Sequence, residues 1–328
     1  LKAWNGSMRE WNDYRYLLAV GAVLFERDDF AVAAGSEWEE ALWLLGEKAY
    51  VFKMEFDTRK TTGVGLRSRS FTDSGVCIIR DRDWYLAVKA GPNGQKGNGG
   101  HTHNDSLSFE LYGDGVSWII DPGTFVYTSN YKARNLFRSV LRHNTVAVDG
   151  EEQNRMYPVV LFRMENDADA RVIRFDEADT FVIFCGEHSG YRRLPKPVTH
   201  RRTIFRDRID NLWLIQDSFY GETDHDYTFT LQFAPGIRVE PVTDPYHGIR
   251  VYGGGSVLNV ISLQPLFHDM TVETGEVSFS YGTKCEAPLL RFHWKCTPQF
   301  TMALIPSGNG GLFFERIKNA RKRLEESE

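Results

Sequence analysis

Cysteine is scarce in this chain: 328 residues contain four, Cys77, Cys185, Cys285 and Cys296. They are widely spaced and form no CxxC, so they read as free thiols, or at most as one bridge between Cys285 and Cys296. They do not fix a redox compartment. Basic runs are also missing. The net charge is −5, and no cluster of Lys and Arg is long enough to hold a phosphate backbone, which makes nucleic acid a poor partner. No apolar run approaches the ~20 residues of a membrane-spanning helix, and no leader peptide is visible. No GxSxG elbow, P-loop or dinucleotide fingerprint is found, so hydrolysis by a serine nucleophile is unsupported. No internal repeat or low-complexity block stands out.

What is present favours a packed, β-rich chain. Hydrophobic residues at 42% and charged residues at 25% are enough for a sizeable core. Aromatics at 13% suit pleated sheets and sugar-binding clefts. The N-terminal part is helical. Asn12 or Asp13 can cap a helix carrying Leu17, Leu18, Val20, Val23, Leu24 and Phe25. After a turn, Glu37–Leu45 reads as a second helix ended by Gly46. These helices look like the tail of a larger helical domain. Because Leu1 already lies in helical sequence, a preceding part is expected.

From Tyr50 the pattern turns to short β-branched and aromatic runs separated by Gly, Asp, Asn and Pro. Strands are expected from Tyr50–Phe56 through Thr301–Ile305, with little helix between except around Tyr131–Leu141. The clearest hairpin is Leu107–Tyr112, Gly113-Asp-Gly115, Val116–Ile120. The expected fold class is therefore mainly β, a large antiparallel sandwich after terminal helices. The expected divisions are a helical part over 1–48, a sandwich over 49–310 and a charged tail or helix over 311–328.

Chemistry-bearing groups concentrate in Gly97–Asp149. The glycines of Gly97–Gly100 either let backbone approach a ligand or make a flexible loop. His101 and His103 follow, and on a strand they would share a face, whereas on a loop they diverge. The hairpin should return Asp121 to the side of His103, and His143 starts a further strand. Two imidazoles and a carboxylate suit a divalent cation, zinc above all; the other reading is hydrogen-bonded loop residues on a sheet rim. Asp105 either orients a histidine or caps a turn. The long segment carrying Tyr127, Tyr131, Arg134, Asn135, Arg138 and Arg142 offers arginines to clamp carboxylate or sulfate and tyrosines to stack on sugars. Each of these is otherwise a structural residue. Arg201 and Arg202 cannot share a strand face. His188, His225, His247, His268 and His293 read as structural or surface residues.

The run His101-Thr-His-Asn-Asp105, with Ser108-Phe109, Ile120-Asp-Pro-Gly123, Arg138-Ser-Val-Leu-Arg-His-Asn-Thr145 and Asp149-Gly150, resembles the heparinase II/III family of polysaccharide lyases. Ala41–Gly46, Arg201–Thr203 and Leu231–Gly236 resemble further segments of it. The likeness is dense from Gly99 to Asp149 and looser elsewhere. It implies an (α/α) toroid followed by an antiparallel β-sandwich, with the site between them. It places His101 at the family's catalytic histidine, and His103, Asp121 and His143 at its zinc ligands. The catalytic tyrosine and its Asn or His partner belong to the toroid, and nothing in Leu1–Tyr50 matches them; Tyr14 and Tyr16 are misplaced.

The implied reaction is β-elimination at a uronic acid. The substrate carboxylate must be neutralised while a base takes the C5 proton and an acid protonates O4. His101 is expected in that acid/base set, with zinc mainly structural, an acidic polysaccharide as partner, and a periplasmic or secreted bacterial setting by analogy. The alternative is a non-catalytic carbohydrate-binding or structural sandwich. A metal-dependent glycosidase would need an opposed carboxylate pair, which Asp105, Glu110 and Asp114 do not clearly supply.

Overall fold

The step from helix to strand falls later than the pattern after Tyr50 suggests. A computed structural model describes residues 13–59, 67–242, 247–264, 269–307 and 313–327; Asn12, His268 and residues 308–312 lie outside them. The chain divides into two compact units, Leu1–Leu66 and Arg67–Glu328.

The first unit contains α1 (Arg15–Phe25), α2 (Asp28–Ala34), α3 (Glu39–Leu45) and α4 (Glu47–Thr58). Asp13 Oδ1 accepts the Arg15 backbone N–H at 3.1 Å. Small residues, among them Ala19, Ala22, Ala31 and Ala41, let the helices approach around Trp38. The strand expected over Tyr50–Phe56 is thus helix α4. Its aromatic residues suggested a strand, but Glu47, Lys48, Ala49, Lys53 and Glu55 are good helix formers. Phe52 and Phe56, four apart, come onto one face and pack on Trp38, with centroid distances of 6.1 and 6.4 Å.

The second unit is built of antiparallel strands. The first sheet runs in sequence order through β1 (Arg69–Phe71), β2 (Val76–Asp81), β3 (Trp84–Lys89), β4 (Phe109–Gly113) and β5 (Val116–Ile119). Helix α5 (Tyr131–Phe137) and strand β6 (Val146–Val148) follow. Next come β7 (Arg171–Glu177), β8 (Phe181–His188), β9 (Val198–Asp207), β10 (Leu212–Gly221) and β11 (Asp226–Gln232). The last strands are β12 (Arg238–Val242), β13 (Gly248–Gly253), β14 (Ser256–Ser262), β15 (Asp269–Ser280), β16 (Thr283–Lys295) and β17 (Gln299–Pro306). One sheet has the order β12-β13-β14-β17-β10-β9-β8-β7, and another has β15-β16-β11-β6.

All three sheets contribute to one apolar core: Leu86 and Trp118, Phe184 and Trp213, and Phe229 and Phe292 are among its members. Strand β3 alternates buried with half-buried residues, as a sheet with one covered face should. The other face of the large sheet, including Phe205 and Leu214, is covered by Ile317, Ala320 and Leu324 of helix α6 (Phe313–Ser327). The charged C-terminal segment is thus an amphipathic helix against the sandwich.

Two turns place the site. Asp114 and Gly115, with φ of 52° and 77°, make the two-residue link from β4 to β5, for which an Asp-Gly pair is suited. Beyond β5, Gly123 forms a parallel bridge to Ser278 near the far end of β15. A methyl group on Gly123 would fall 2.1 Å from the Ser278 carbonyl oxygen, so only glycine fits this approach without movement.

Candidate functional site

His101 and His103 lie on the loop before β4, so the same-face relation of a strand does not apply and the imidazoles diverge. His101 is exposed, whereas His103 is buried. Asp121 comes from the end of the β5 hairpin and His143 from the residue after a short 3-10 turn, Val140–Arg142. The metal-ligating atoms of His103, Asp121 and His143 lie within 4.8 Å of one another. The two buried imidazole rings are 5.2 Å apart.

His143 Nδ1 donates to Asp121 Oδ2 at 2.8 Å, while Asp121 Oδ1 accepts from Gly123 N at 2.8 Å. The His143 Nε2 atom is buried without a hydrogen-bond partner. An orphaned ring nitrogen beside a second imidazole and a carboxylate is a donor set that fits a divalent cation. Burial, then the neighbouring His143, pushes His103 down to about 3. It is therefore neutral near pH 7 with a single ring lone pair, which at Nε2 accepts from Arg134; a cation held by that atom would take the place of this hydrogen bond. Burial opposes charge on Asp121, but the charge and hydrogen bond of His143 win, and the carboxylate falls to about 2. Burial likewise opposes protonation of His143, and Asp121 overrides it and raises the imidazole. The triad thus holds one carboxylate that stays ionised.

Arg134 already stands at this group. Its Nη1 donates to His103 Nε2 at 2.7 Å, and its Nε and Nη2 are buried without partners. Its guanidinium lies 5.3 Å from the Tyr127 ring centroid. Arg134 therefore brings positive charge to the triad from behind.

The expected ligand-clamping segment separates into different tasks. Tyr131 begins α5 and is exposed, and Tyr127 is half-buried beside His101. Arg138 is fully buried. It donates to the carbonyls of Leu161, Arg163 and Val160 at 3.2, 3.3 and 3.3 Å and to Asn135 Oδ1 at 3.0 Å. Asn135 donates to the Pro158 carbonyl at 2.8 Å. In this arrangement Arg138 and Asn135 hold the 157–163 loop, and Arg138 does not face the groove. Arg142 is also buried and donates to the Glu276 carbonyl at 2.5 Å.

A groove of about 440 Å³ passes in front of these groups, lined by Lys89, His101, His103, Asp105, Glu110 and Asp121 among others. Asp105 pairs with Lys89 at 2.6 Å and accepts the Ser108 N–H on its backbone carbonyl. It caps that turn and orients no histidine. Glu110 keeps solvent exposure, and the enclosing groove wall, followed by the charge of Asp121, pushes its carboxyl upward.

Several residues that hold the site had no assigned role in the sequence pattern. Asn144 Nδ2 donates to the carbonyls of Phe109 and Ile120 at 2.8 and 2.9 Å, and its Oδ1 accepts from Gln232 N at 2.7 Å. It ties the hairpin base to β11 and fixes the chain next to His143. Arg202 Nη1 donates to the carbonyls of Leu107 and Asn144 at 2.6 Å each. Its Nε and Nη2 pair with Asp217 at 2.8 and 2.9 Å. Arg201 pairs instead with Glu187 at 2.6 Å, on the opposite face, as strand alternation requires. The sequence signals for Arg202 were that alternation and the likeness of Arg201–Thr203 to a family segment. None of the four cysteines is in a disulfide, so the Cys285–Cys296 bridge that the sequence allowed does not form.

Fold and site together define a class: an antiparallel sandwich that carries a His-Asp-His triad beside an exposed histidine on an open groove. The chain belongs to the heparinase II/III family, whose model for the heparinase II/III-like C-terminal domain matches residues 63–300. It is similar to a heparin-sulfate lyase of Bacteroides stercoris, with 24% identity over 238 residues, 70% of this chain and 32% of that protein. Its fold is that of the heparan sulfate lyase structure from Pedobacter heparinus, with a TM-score of 0.67 and 18% identity over 93% of this chain and 43% of that one. A heparinase III structure matches with a TM-score of 0.68 and 18% identity, covering 91% and 42% of the two chains. The chain thus spans about a third of the curated relative and less than half of each solved chain. No helix among the described residues is long and apolar enough to cross a membrane.

Proposed function

We propose that this chain is the sandwich part of a polysaccharide lyase that cleaves a uronate-containing polysaccharide by β-elimination. The four N-terminal helices are then the end of an (α/α) toroid. The observation that carries the reading is the exposed His101 on the groove, immediately before the His103, Asp121 and His143 triad in a chain of the heparinase II/III family. His101 is free to approach a glycan and to move a proton at C5 or O4 of the sugar at the cleavage site. Tyr127 and Tyr131 flank the substrate on the same side. Asn135 and Arg138 support this wall through the loop they hold, and Arg134 supports it through His103 and Tyr127.

His103, Asp121 and His143 would hold zinc, which would supply a structural cross-link and neutralise the half-buried Asp121 carboxylate. The triad's own part in turnover is to keep the His101 loop, the β5 hairpin and the segment before β6 in register. A location outside the cytoplasm, periplasmic or secreted in a bacterium, belongs to the same proposal.

The test is His101→Ala in the intact protein, assayed on heparan sulfate, alginate and hyaluronan by absorbance of the unsaturated product. A loss of turnover of at least ~100-fold is expected for removal of a general acid or base. Undiminished turnover on a substrate that the unaltered protein cleaves would remove His101 from the chemistry. For the metal, one zinc per chain is expected by elemental analysis. Chelator should lower the melting temperature, since a ligand at 100 times its Kd stabilises by about 2.7 kcal/mol. Metal-free protein with unchanged melting in chelator would end the zinc assignment.

A further inference from the structure

Beside His101, which lines the groove, lies exposed aromatic surface that the triad does not use. Phe162 is 42% exposed and Tyr281 is 61% exposed, yet both pack edgewise or at a tilt into the site. The His101 ring lies 5.9 Å from Tyr127 and 5.9 Å from Phe162. Tyr127 lies 5.6 Å from Phe162 and 5.8 Å from Tyr281. Four rings from four separate segments therefore form one continuous surface that includes His101.

Each segment is held by contacts far from it in sequence. Phe162 sits on the loop whose carbonyls Arg138 and Asn135 bind, and its own carbonyl accepts from Asn98 Nδ2 at 3.2 Å. Tyr281 lies at the tip of the β15–β16 hairpin. Gly282 N donates to the Phe125 carbonyl at 2.8 Å, and Ser278 N donates to the Pro122 carbonyl at 2.9 Å. Phe125 itself has a φ of 61°, a costly conformation for a bulky residue. The hairpin contact holds that turn, and Tyr127 follows two residues later. Packing alone does not account for this construction, because burying Phe162 and Tyr281 fully would remove more apolar surface from water.

We propose that Tyr127, Phe162 and Tyr281 form a stacking subsite for one pyranose ring of the glycan, placed directly beside His101. A pyranose presents a face of C–H groups to an aromatic ring while its hydroxyls and carboxylate stay at the edge. The tilts between the rings, 37° and 42°, make a shallow cleft that suits a puckered ring better than a flat base. The inference rests on the glycan-cleaving reading for the identity of the occupant, and on the ring geometry for the subsite. Phe162 and Tyr281 are binding residues here, and His101 keeps the proton-transfer role.

The test uses the intact protein with Phe162→Ala, Tyr281→Ala, the double variant and Tyr281→Phe. Retained melting temperature checks folding, which is expected because both side chains are partly exposed. On the substrate that the unaltered protein cleaves, each alanine variant should raise KM about 10-fold with kcat changed less than about 3-fold. A change of about 10-fold lies at the low end of the range for base–aromatic stacking, as suits the smaller contact of a sugar face. Tyr281→Phe should restore KM, since the ring face and not the hydroxyl is used. A double variant with unaltered KM overturns the subsite. Calorimetry with a heparan sulfate hexasaccharide on the His101→Ala background separates the two proposals. Binding that weakens with Tyr281→Ala supports the subsite even if no polysaccharide is cleaved, in which case only the lyase reading falls. Equal binding by the double variant overturns the subsite even if cleavage is established.

Discussion

Asn144 shows how much of this site depends on single buried side chains. It makes three hydrogen bonds, to Phe109, Ile120 and Gln232, with no exposure to solvent. Each such bond is worth about 1 kcal/mol net, and leaving the partners unpaired costs more. Asn144→Ala should therefore lose roughly 3 kcal/mol or more in urea unfolding. On the zinc proposal it should also weaken metal binding, because His143 is the preceding residue. Arg202 is a harder case. It and Asp217 are both fully buried and paired, and breaking such a pair from one side costs about 3–5 kcal/mol. Arg202→Met should show that loss, and Arg202→Lys should recover only part of it, since lysine cannot reach Asp217 and two carbonyls at once. Equal stability of the Met variant would mean that the pair contributes nothing beyond shape.

At the scale of elements, the contact between the β15–β16 hairpin and the turn after β5 is the critical joint. Gly123 combines a φ of 81° with a Ser278 carbonyl in the space that a side chain would need, whereas Gly150, with a φ of 71°, has open space around it. Alanine at either site pays about 1 kcal/mol for the left-handed backbone. Gly123→Ala must in addition displace the hairpin. It should cost clearly more stability than Gly150→Ala and, on the zinc proposal, reduce zinc affinity in calorimetry, while Gly150→Ala leaves the His103, Asp121 and His143 group alone. Similar losses from both would show that the joint is loose. The helices illustrate the opposite lesson. Residues Tyr50–Phe56 carry strand-forming side chains, but their neighbours and the i, i+4 pair of Phe52 with Phe56 favour the helix that forms.

For the whole molecule, buried neutral histidines set the response to acid. His188 and His200 are buried in the sandwich, with His188 Nε2 3.1 Å from His200 Nδ1 and His200 Nε2 2.6 Å from Asp217. Burial pushes both imidazoles below their usual range, with the other histidine and Arg202 adding to the effect on His188, and Asp217 only partly offsetting it on His200. The unfolded chain, with histidines near 6.5, then binds protons that the folded chain refuses. Stability is full above that value and falls as pH drops below it, by up to about 1.4 kcal/mol per pH unit for each such group. His103 acts in the same direction and His143 in the opposite one. The urea midpoint should be lower at pH 5.5 than at pH 7.5. An unchanged midpoint would count against neutral burial of the His188–His200 pair.

Local pattern was sufficient wherever neighbours within a few residues decide conformation. The Asp114-Gly115 turn, the alternation of β3, the opposite faces of Arg201 and Arg202 and the mainly β character were legible in this way. So was the crowding of imidazoles and carboxylates between Gly97 and Asp149, because it is a matter of composition along the chain. The strand expected at Tyr50–Phe56 failed where helix packing outweighed side-chain preference. Which groups meet was decided only by tertiary structure. The triad needs a loop, a hairpin end and a segment some twenty residues further on. The turning of Arg138 and Asn135 towards loop carbonyls, and the arrival of Phe162 beside His101 and of Tyr281 beside Tyr127, depend on contacts between distant segments. Those contacts form because burying apolar surface and pairing buried polar groups outweigh the entropy of ordering the segments, and that balance leaves no mark on any short stretch of sequence.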